Sequence, residues 1–349
     1  MSPYIKKTLL IIALAGVVVG AVISYNIYTV IFSPNTRFSN EKAYVYIADG
    51  DDFEAVVQQL EPLLEDIESF KTVARKKGYD AHIKAGKYSI KKGMNNNAVV
   101  NALRSGNVPV NVSFNNQERV ADLAGRISEQ IAADSLALLE AFTDTRFLEE
   151  AGFNEDTALA MYIPNTYEFF WNTDATEFRE RMLKEYHRFW NDTRTGKAAA
   201  IEMDAQEVMT LASIVQKETA KTDERPRVAG VYLNRLKDGM LLQADPTVIY
   251  AIKKHTGKYD TIIRRVLYRD LELNSPYNTY EYAGLPPGPI TMPDISSIDA
   301  VLNAEQHNYY YFVVDVTRPG YHKFARTLVQ HNRNKASYIR WLKEKNIRR

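Results

Sequence analysis

Leu211-Ala212-Ser213-Ile214-Val215-Gln216-Lys217-Glu218-Thr219 reads as the end of a helix whose apolar stripe runs into a carboxylate. Asp204 upstream is a good N-cap residue, and Glu207 stands three positions on, where a capping box wants an acid or amide. Val208, Leu211, Ala212 and Val215 recur at three- and four-residue spacing, the mark of one buried face. Glu218 continues that row, which carries its carboxylate toward the core. It also falls in the last turn, where the negative end of the helix dipole and loss of water both disfavour the ionised form. A carboxylic acid kept protonated near neutral pH is what a general acid requires. Pattern alone leaves open the ordinary alternative, a helix-ending Glu turned out into water.

Working outward, 349 residues are enough for more than one core, and a net charge of +1 gives no strongly basic surface that would argue for nucleic acid. The absence of cysteine excludes a thiolate zinc site, a catalytic thiol, a disulfide framework and lipid attachment at an N-terminal Cys. The six histidines are scattered without metal-ligand spacing, so neither a metal nor another cofactor is expected. Phosphate loops, dinucleotide fingerprints, nucleophile elbows and internal repeats are missing from the pattern.

Thr8 to Phe32 is an uncharged, mostly apolar run, long enough to cross a hydrocarbon layer of roughly 30 Å as a helix. A signal peptide has a shorter apolar region, about 7 to 15 residues, so the run is expected to be an uncleaved anchor. Lys6 and Lys7 place residues 1–7 in the cytoplasm by the positive-inside tendency. The chain beyond residue 33 is then expected outside a cytoplasmic (inner) membrane that it crosses once.

Ala43 to Ala48 reads as a strand, Phe53 to Leu64 and Ser69 to Lys77 as helices, and Ala85 to Ile90 as a returning strand. This βααβ order, with Gly86-Lys87-Tyr88 in the closing strand, resembles LysM-like modules, which implies binding of glycan chains; a plain spacer domain is the alternative. Residues 41–106 are assigned to this small domain. From Val108 a new domain is expected, spanning 107–349, of mixed α+β class with a mainly helical centre. Helices are predicted over 118–132, 135–143, from 145, over 176–191, from 204 and from 224, and Asp245-Pro246 should cap another. Tyr309 to Val314 and His322 to Phe324 read as a hairpin, followed by a helix from Thr327.

Three stretches are candidate binding segments, and the first has the mixture of a sugar site, aromatic faces for pyranose rings among amides and carboxylates. Tyr162 to Trp171 interleaves Tyr167 and Glu168 with aromatics, though such density is as readily core. Gln243 and Asp245 flank a loop-to-helix junction. Asn274 to Tyr280, with Tyr277 and Asn278, leads into Gly284-Leu-Pro-Pro-Gly-Pro289, a long stretch poor in regular structure.

At Leu211 to Thr219, Ala229-Gly-Val-Tyr-Leu-Asn-Arg235-Leu, Leu242 to Tyr250, Ser275 to Tyr280 and Ala283 to Pro289, the chain resembles the MltG/YceG-like endolytic murein transglycosylases. The resemblance covers most of residues 108–335, and the anchor and small first domain match the family's layout. It implies a lyase that cleaves the β-1,4 bond from N-acetylmuramic acid to N-acetylglucosamine within nascent peptidoglycan strands. The product carries a 1,6-anhydromuramyl end, and strand elongation stops. Family members commonly carry an acid where this chain has Gln216, which leaves Glu218 as the motif's acid. The family's Phe-Pro-Asp-Thr-Tyr is Ile-Pro-Asn165-Thr-Tyr here, which puts a charged role at 165 in doubt. By resemblance Glu218 is the catalytic residue. Gln243, Asp245, Tyr277 and Asn278 are expected to line the cleft, with Tyr167 and Glu168 added from the aromatic patch. Peptidoglycan strands are the expected partner, with peptidoglycan synthases as candidates. The alternatives are a muramidase-type hydrolase, for which Asp245 would be the second carboxylate, and a non-catalytic glycan-binding scaffold.

Overall fold

The computed structural model describes residues 2–345 and groups them into two compact units. The first comprises the chain up to residue 112 with 130–133 and 167–174; the second comprises 113–129, 134–166 and the chain from 175 onward.

In the first unit, helix α1 (Pro3–Phe32) starts earlier than the apolar run and takes in Lys6 and Lys7. It buries no residue and is long and apolar enough to cross a membrane. At its C-terminal end the Asn96 amide donates to the Val30 carbonyl at 2.8 Å and Asn35 donates to Asn96 Oδ1 at 2.7 Å. Strand β1 (Lys42–Ile47) then pairs antiparallel with β2 (Gly86–Lys91), Val45 opposite Tyr88. Between them run α2 (Phe53–Leu60), continued by a 3-10 turn, and α3 (Ile67–Lys76), each capped by an Asp side chain, Asp52 and Asp66. The inward faces meet in one apolar core that includes Val45, Ile47, Leu60, Phe70 and Tyr79. Helix α4 (Asn96–Ser105) closes that core, and β3 (Pro109–Phe114) follows.

The second unit carries most of the helices. Helices α5 (Val120–Ser128), α6 (Ser135–Phe142) and α7 (Thr145–Glu150) come first. Strand β4 (Asn165–Phe170), unforeseen in the aromatic patch and grouped from Tyr167 onward with the first unit, pairs with β3. Helix α8 (Ala175–Phe189) matches its expected span, and α9 (Asp192–Ala200) is an addition. At the centre lies α10 (Ala205–Glu218), its capping box complete: Asp204 accepts from the Glu207 amide while the Glu207 side chain accepts from the Asp204 amide. Val208, Leu211, Ala212 and Val215 are fully buried along one face.

Helices α11 (Arg225–Lys237), α12 (Asp245–Thr256) and α13 (Ile295–Leu302) pack around α10. Gly230 lets α11 approach closely, because a Cβ there would collide with the Glu305 carbonyl. Gly288 does the same for its loop, whose backbone meets the Asp156 carbonyl. Strands β5 (Tyr311–Val314) and β6 (His322–Ala325) form an antiparallel hairpin, packed by α14 (Leu328–Glu344), as the pattern implied. The fold is mixed helix and strand, mainly helical at its centre.

One local expectation needs correction. Asp245 does not cap α12: Ala244 occupies the N-cap position with no side-chain bond. The Asp245 carboxylate instead accepts from the Tyr280 hydroxyl at 2.6 Å. The half-buried Tyr280 phenol competes successfully with the helix amides for this carboxylate.

Candidate active site

Helix α10 ends at Glu218, so the carboxyl leaves the core where α10 turns toward α11. Its Oε1 accepts from the Tyr232 hydroxyl at 2.8 Å. Burial pushes the Glu218 carboxyl up to about 7; the Tyr232 bond opposes that shift, and the nearby Asp245 charge adds to it. Desolvation is thus the largest cause. His322 and Arg235 pull weakly the other way.

Tyr232 lies two turns into α11 and is 2% exposed, its ring edge-on to Phe312 of β5 at 5.9 Å. Three residues on, Arg235 is also buried and acts as a clamp. Its Nε donates to the Tyr310 carbonyl at 2.6 Å, and its Nη1 donates to the Leu241 and Leu242 carbonyls, each at 3.0 Å. Gln243 Oε1 stands at 3.5 Å from the same nitrogen. Arg235 therefore fixes the loop that delivers Gln243 and Asp245.

That loop is strained where it matters. Gln243 has φ of 51°, in the left-handed region that side-chain-bearing residues rarely adopt. The Gln243 amide donates to the Thr279 carbonyl at 3.0 Å, and the Ala244 amide donates to Thr279 Oγ1 at 3.0 Å. The side chains of Gln243 and Asp245 remain exposed.

A second carboxylate anchors the turn after Glu218. Glu224 is 4% exposed and accepts from Thr219 Oγ1 at 3.1 Å and from the His322 amide at 2.7 Å, with His322 Nδ1 at 2.8 Å. Burial works to raise its pKa, but these bonds outweigh burial and hold the carboxyl below its ordinary range. The hairpin is thereby tied to the α10–α11 turn.

Of the residues expected in the cleft, Asp245 lies near enough for its charge to act on Glu218, and Gln243, two residues before it, faces Arg235. Asn278 is fully buried, donating to the Leu271 and Leu273 carbonyls at 2.8 and 2.9 Å and accepting from the Tyr280 amide at 3.0 Å. Its polar atoms hold the loop that presents Tyr280. Tyr277 is 1% exposed, packs at a tilt against the Tyr250 ring and donates to Asp156 Oδ1 at 3.0 Å. Tyr167 and Glu168 lie on β4 in residues grouped with the first unit, half-buried and exposed respectively. Gln216 Oε1 accepts from the amide of Asp294 at 2.6 Å, which fixes the start of α13. Asn165 is exposed, with Oδ1 accepting from the next amide at 2.8 Å.

The sequence pattern does not single out Tyr232, Tyr280, Arg235 or the Glu224–His322 pair. The available signal was chemical: a tyrosine or arginine on a core-facing helical row must find a partner for its polar end.

A carboxyl pushed up to about 7, bonded by a buried phenol and bordered by exposed polar side chains, has the chemistry that general acid–base work requires. The chain belongs to the YceG-like family, whose pattern matches residues 45–337. A relative in Bacillus subtilis, named endolytic murein transglycosylase, is 28% identical over 334 residues, covering 90% of each chain. The Streptococcus pneumoniae serotype 2 protein of the same name is also 28% identical, over 86% of this chain and 59% of its own length. A crystal structure of a YceG-like protein from Listeria monocytogenes superposes with a TM-score of 0.56 at 27% identity, covering 84% of this chain and 99% of that one.

Proposed function

We propose that this protein is a membrane-anchored endolytic peptidoglycan transglycosylase with Glu218 as its catalytic acid and base. The observation that carries the reading is the half-buried Glu218 carboxyl bonded by the buried Tyr232 hydroxyl, with burial pushing its pKa up to about 7. The names of the 28%-identical relatives support the substrate.

In this reading Glu218, protonated, gives its proton to the glycosidic oxygen as the bond to the muramyl C1 breaks. The carboxylate left behind, stabilised by the Tyr232 hydroxyl, takes the proton from the muramyl C6 hydroxyl while that oxygen bonds to C1. The acid is regenerated, no water is consumed, and one strand end becomes a 1,6-anhydro ring. A group that must give and then retake a proton works best with a pKa near the working pH.

Asp245 and Gln243 are assigned to sugar hydroxyls, while Tyr277 and Asn278 position the loop behind them. Residues 41–106 are assigned to a LysM-like domain that grips glycan, to which Tyr167 and Glu168 on β4 add a contact. Residues 107–349 are assigned to catalysis, with α1 as a single span of the cytoplasmic membrane and the catalytic domain outside. Synthases that extrude the strand are the expected neighbours.

A hydrolytic reading has one observation in its favour, the Asp245 carboxylate near Glu218. Digestion of uncrosslinked peptidoglycan by the full chain in detergent, followed by mass spectrometry, separates the two. Anhydro ends support the lytic reading, and reducing ends overturn it. Unchanged strands that still bind the protein would instead select a scaffold.

A further inference from the structure

A cleft of ≈ 820 Å³ opens beside Asp245 in the second unit, walled on one side by residues 264–271 and on the other by α14. Its floor is apolar, with Leu271, Val313, Tyr338 and Leu342. Its rim is cationic: Arg264, Arg265, Lys335 and Lys343 are all exposed and border it. Asp245 is the one acid in the lining, at the catalytic end.

Solvated lysines and arginines are common on protein surfaces and by themselves mark nothing. Here they converge on a concave apolar surface that begins at the site. No salt bridge engages any of the four among the described residues. The potential is felt inside the cleft, where burial and then Lys335 hold His331 below its ordinary pKa. A cleft graded from one acidic end to a cationic rim attracts an anionic ligand and orients it.

The spacing of the charges selects among anions. Lys335 and Lys343 are eight residues apart on α14, about 12 Å along its axis. A pyrophosphate concentrates its charge in one compact group, which calls for convergent donors. An extended peptide carrying several carboxylates and small methyl side chains fits both the spread of cations and the apolar floor.

We propose that this cleft binds the stem peptide on the muramyl residue next to the cut, through its carboxylates, and so makes the enzyme prefer peptide-bearing strands. This rests on the transglycosylase reading above.

The test is a binding measurement that needs no turnover. The full-length Glu218→Gln protein in detergent is titrated with a disaccharide carrying a tripeptide and with the same disaccharide after amidase treatment. The comparison is repeated in a variant that also carries Arg264→Gln, Arg265→Gln, Lys335→Gln and Lys343→Gln. Each rim pair is worth a factor of about 1.5 to 5, so with all four engaged the peptide should tighten binding about fivefold or more in the first protein. That preference should fall with added salt and vanish in the second. Equal binding of both ligands, or a preference that survives the four substitutions, overturns the proposal. So does displacement of the tripeptide ligand by equimolar polyprenyl pyrophosphate at the same affinity. Strand cleavage by the parent protein is scored separately: its absence would count against the transglycosylase reading, while the binding comparison still decides the cleft.

Discussion

Replacing Glu218 with glutamine should stabilise the protein at alkaline pH far more than at acid pH. The carboxyl sits at about 7 against an ordinary value of 4.5. Between those values the folded chain holds a proton that the unfolded chain has released, so stability falls as pH rises. The contribution is fully present below about pH 4.5 and is lost as pH climbs through about 7. At about 1.36 kcal/mol per tenfold difference in proton affinity, the total is about 3 kcal/mol, of which about 2.5 kcal/mol falls between pH 5 and pH 8. Glutamine keeps a carbonyl for the Tyr232 hydroxyl and has no proton to lose. For a domain of this size the energy corresponds to roughly 5–10 °C in midpoint. The assay is thermal unfolding of both full-length proteins in detergent, followed by circular dichroism at pH 5 and pH 8. Whatever offset the variant shows at pH 5, its advantage should grow by that interval at pH 8. An offset identical at the two pH values would refute the enclosed acid, because an exposed Glu titrates alike folded and unfolded.

Tyr232→Phe removes the bond that favours the Glu218 carboxylate. The basic limb of the activity profile should move to higher pH, and turnover should drop about tenfold or more, as expected for a lost hydrogen bond to a charged group; an unmoved limb counts against coupling of the two groups. Arg235→Ala strands the carbonyls of Tyr310, Leu241 and Leu242. Urea unfolding should show a loss of about 3 kcal/mol, and a loss under 1 kcal/mol would mean that water replaces the clamp. Gly230→Ala forces a methyl against the Glu305 carbonyl and the His307 ring. The expected loss is about 2 kcal/mol by the same measurement, and an unchanged unfolding midpoint would show that α11 has room to shift.

Much of the site's skeleton was legible because its signals are local. The capping box at Asp204 and Glu207 and the apolar row from Val208 to Val215 each lie within one or two helical turns, and the observed α10 follows them to Glu218. The burial of that last residue was legible only as a direction along the row. What borders it lies outside that helix: Tyr232, 14 residues on, and behind Tyr232 the hairpin residue Phe312. The cap assigned to Asp245 failed for the same reason, since Tyr280, 35 residues on, takes the carboxylate. Helix α13 was a different kind of miss: its Asp294 cap is a local signal, hidden behind the proline- and glycine-rich run that precedes it. Strand β4 carries the polar–aromatic mixture of a binding surface, and its partner β3 lies about fifty residues earlier. The buried amide of Asn278 shows that a motif asparagine in an irregular loop serves the backbone first, because such a loop has carbonyls that no ladder satisfies.

The α10–α11 turn holds two carboxyls whose environments push them apart, and their stability effects have opposite signs. Glu218 is enclosed with one phenol and little else, so burial wins and the proton stays. Glu224, six residues on, is also buried, yet bonds to the Thr219 hydroxyl and to the backbone amide and Nδ1 of His322 outweigh the burial. Its contribution is present above the ordinary carboxylate range and is lost as pH falls through its depressed value, whereas that of Glu218 is lost as pH rises through about 7. Together they place the turn's best stability on the acid side of neutrality. Catalysis in the proposed mechanism needs Glu218 close to half-protonated, which lies at the upper edge of that window. The site therefore works where its acid has begun to cost stability, and Glu224, whose carboxyl is held below its ordinary range and so stays ionised there, keeps the turn tied to the hairpin while Glu218 changes charge.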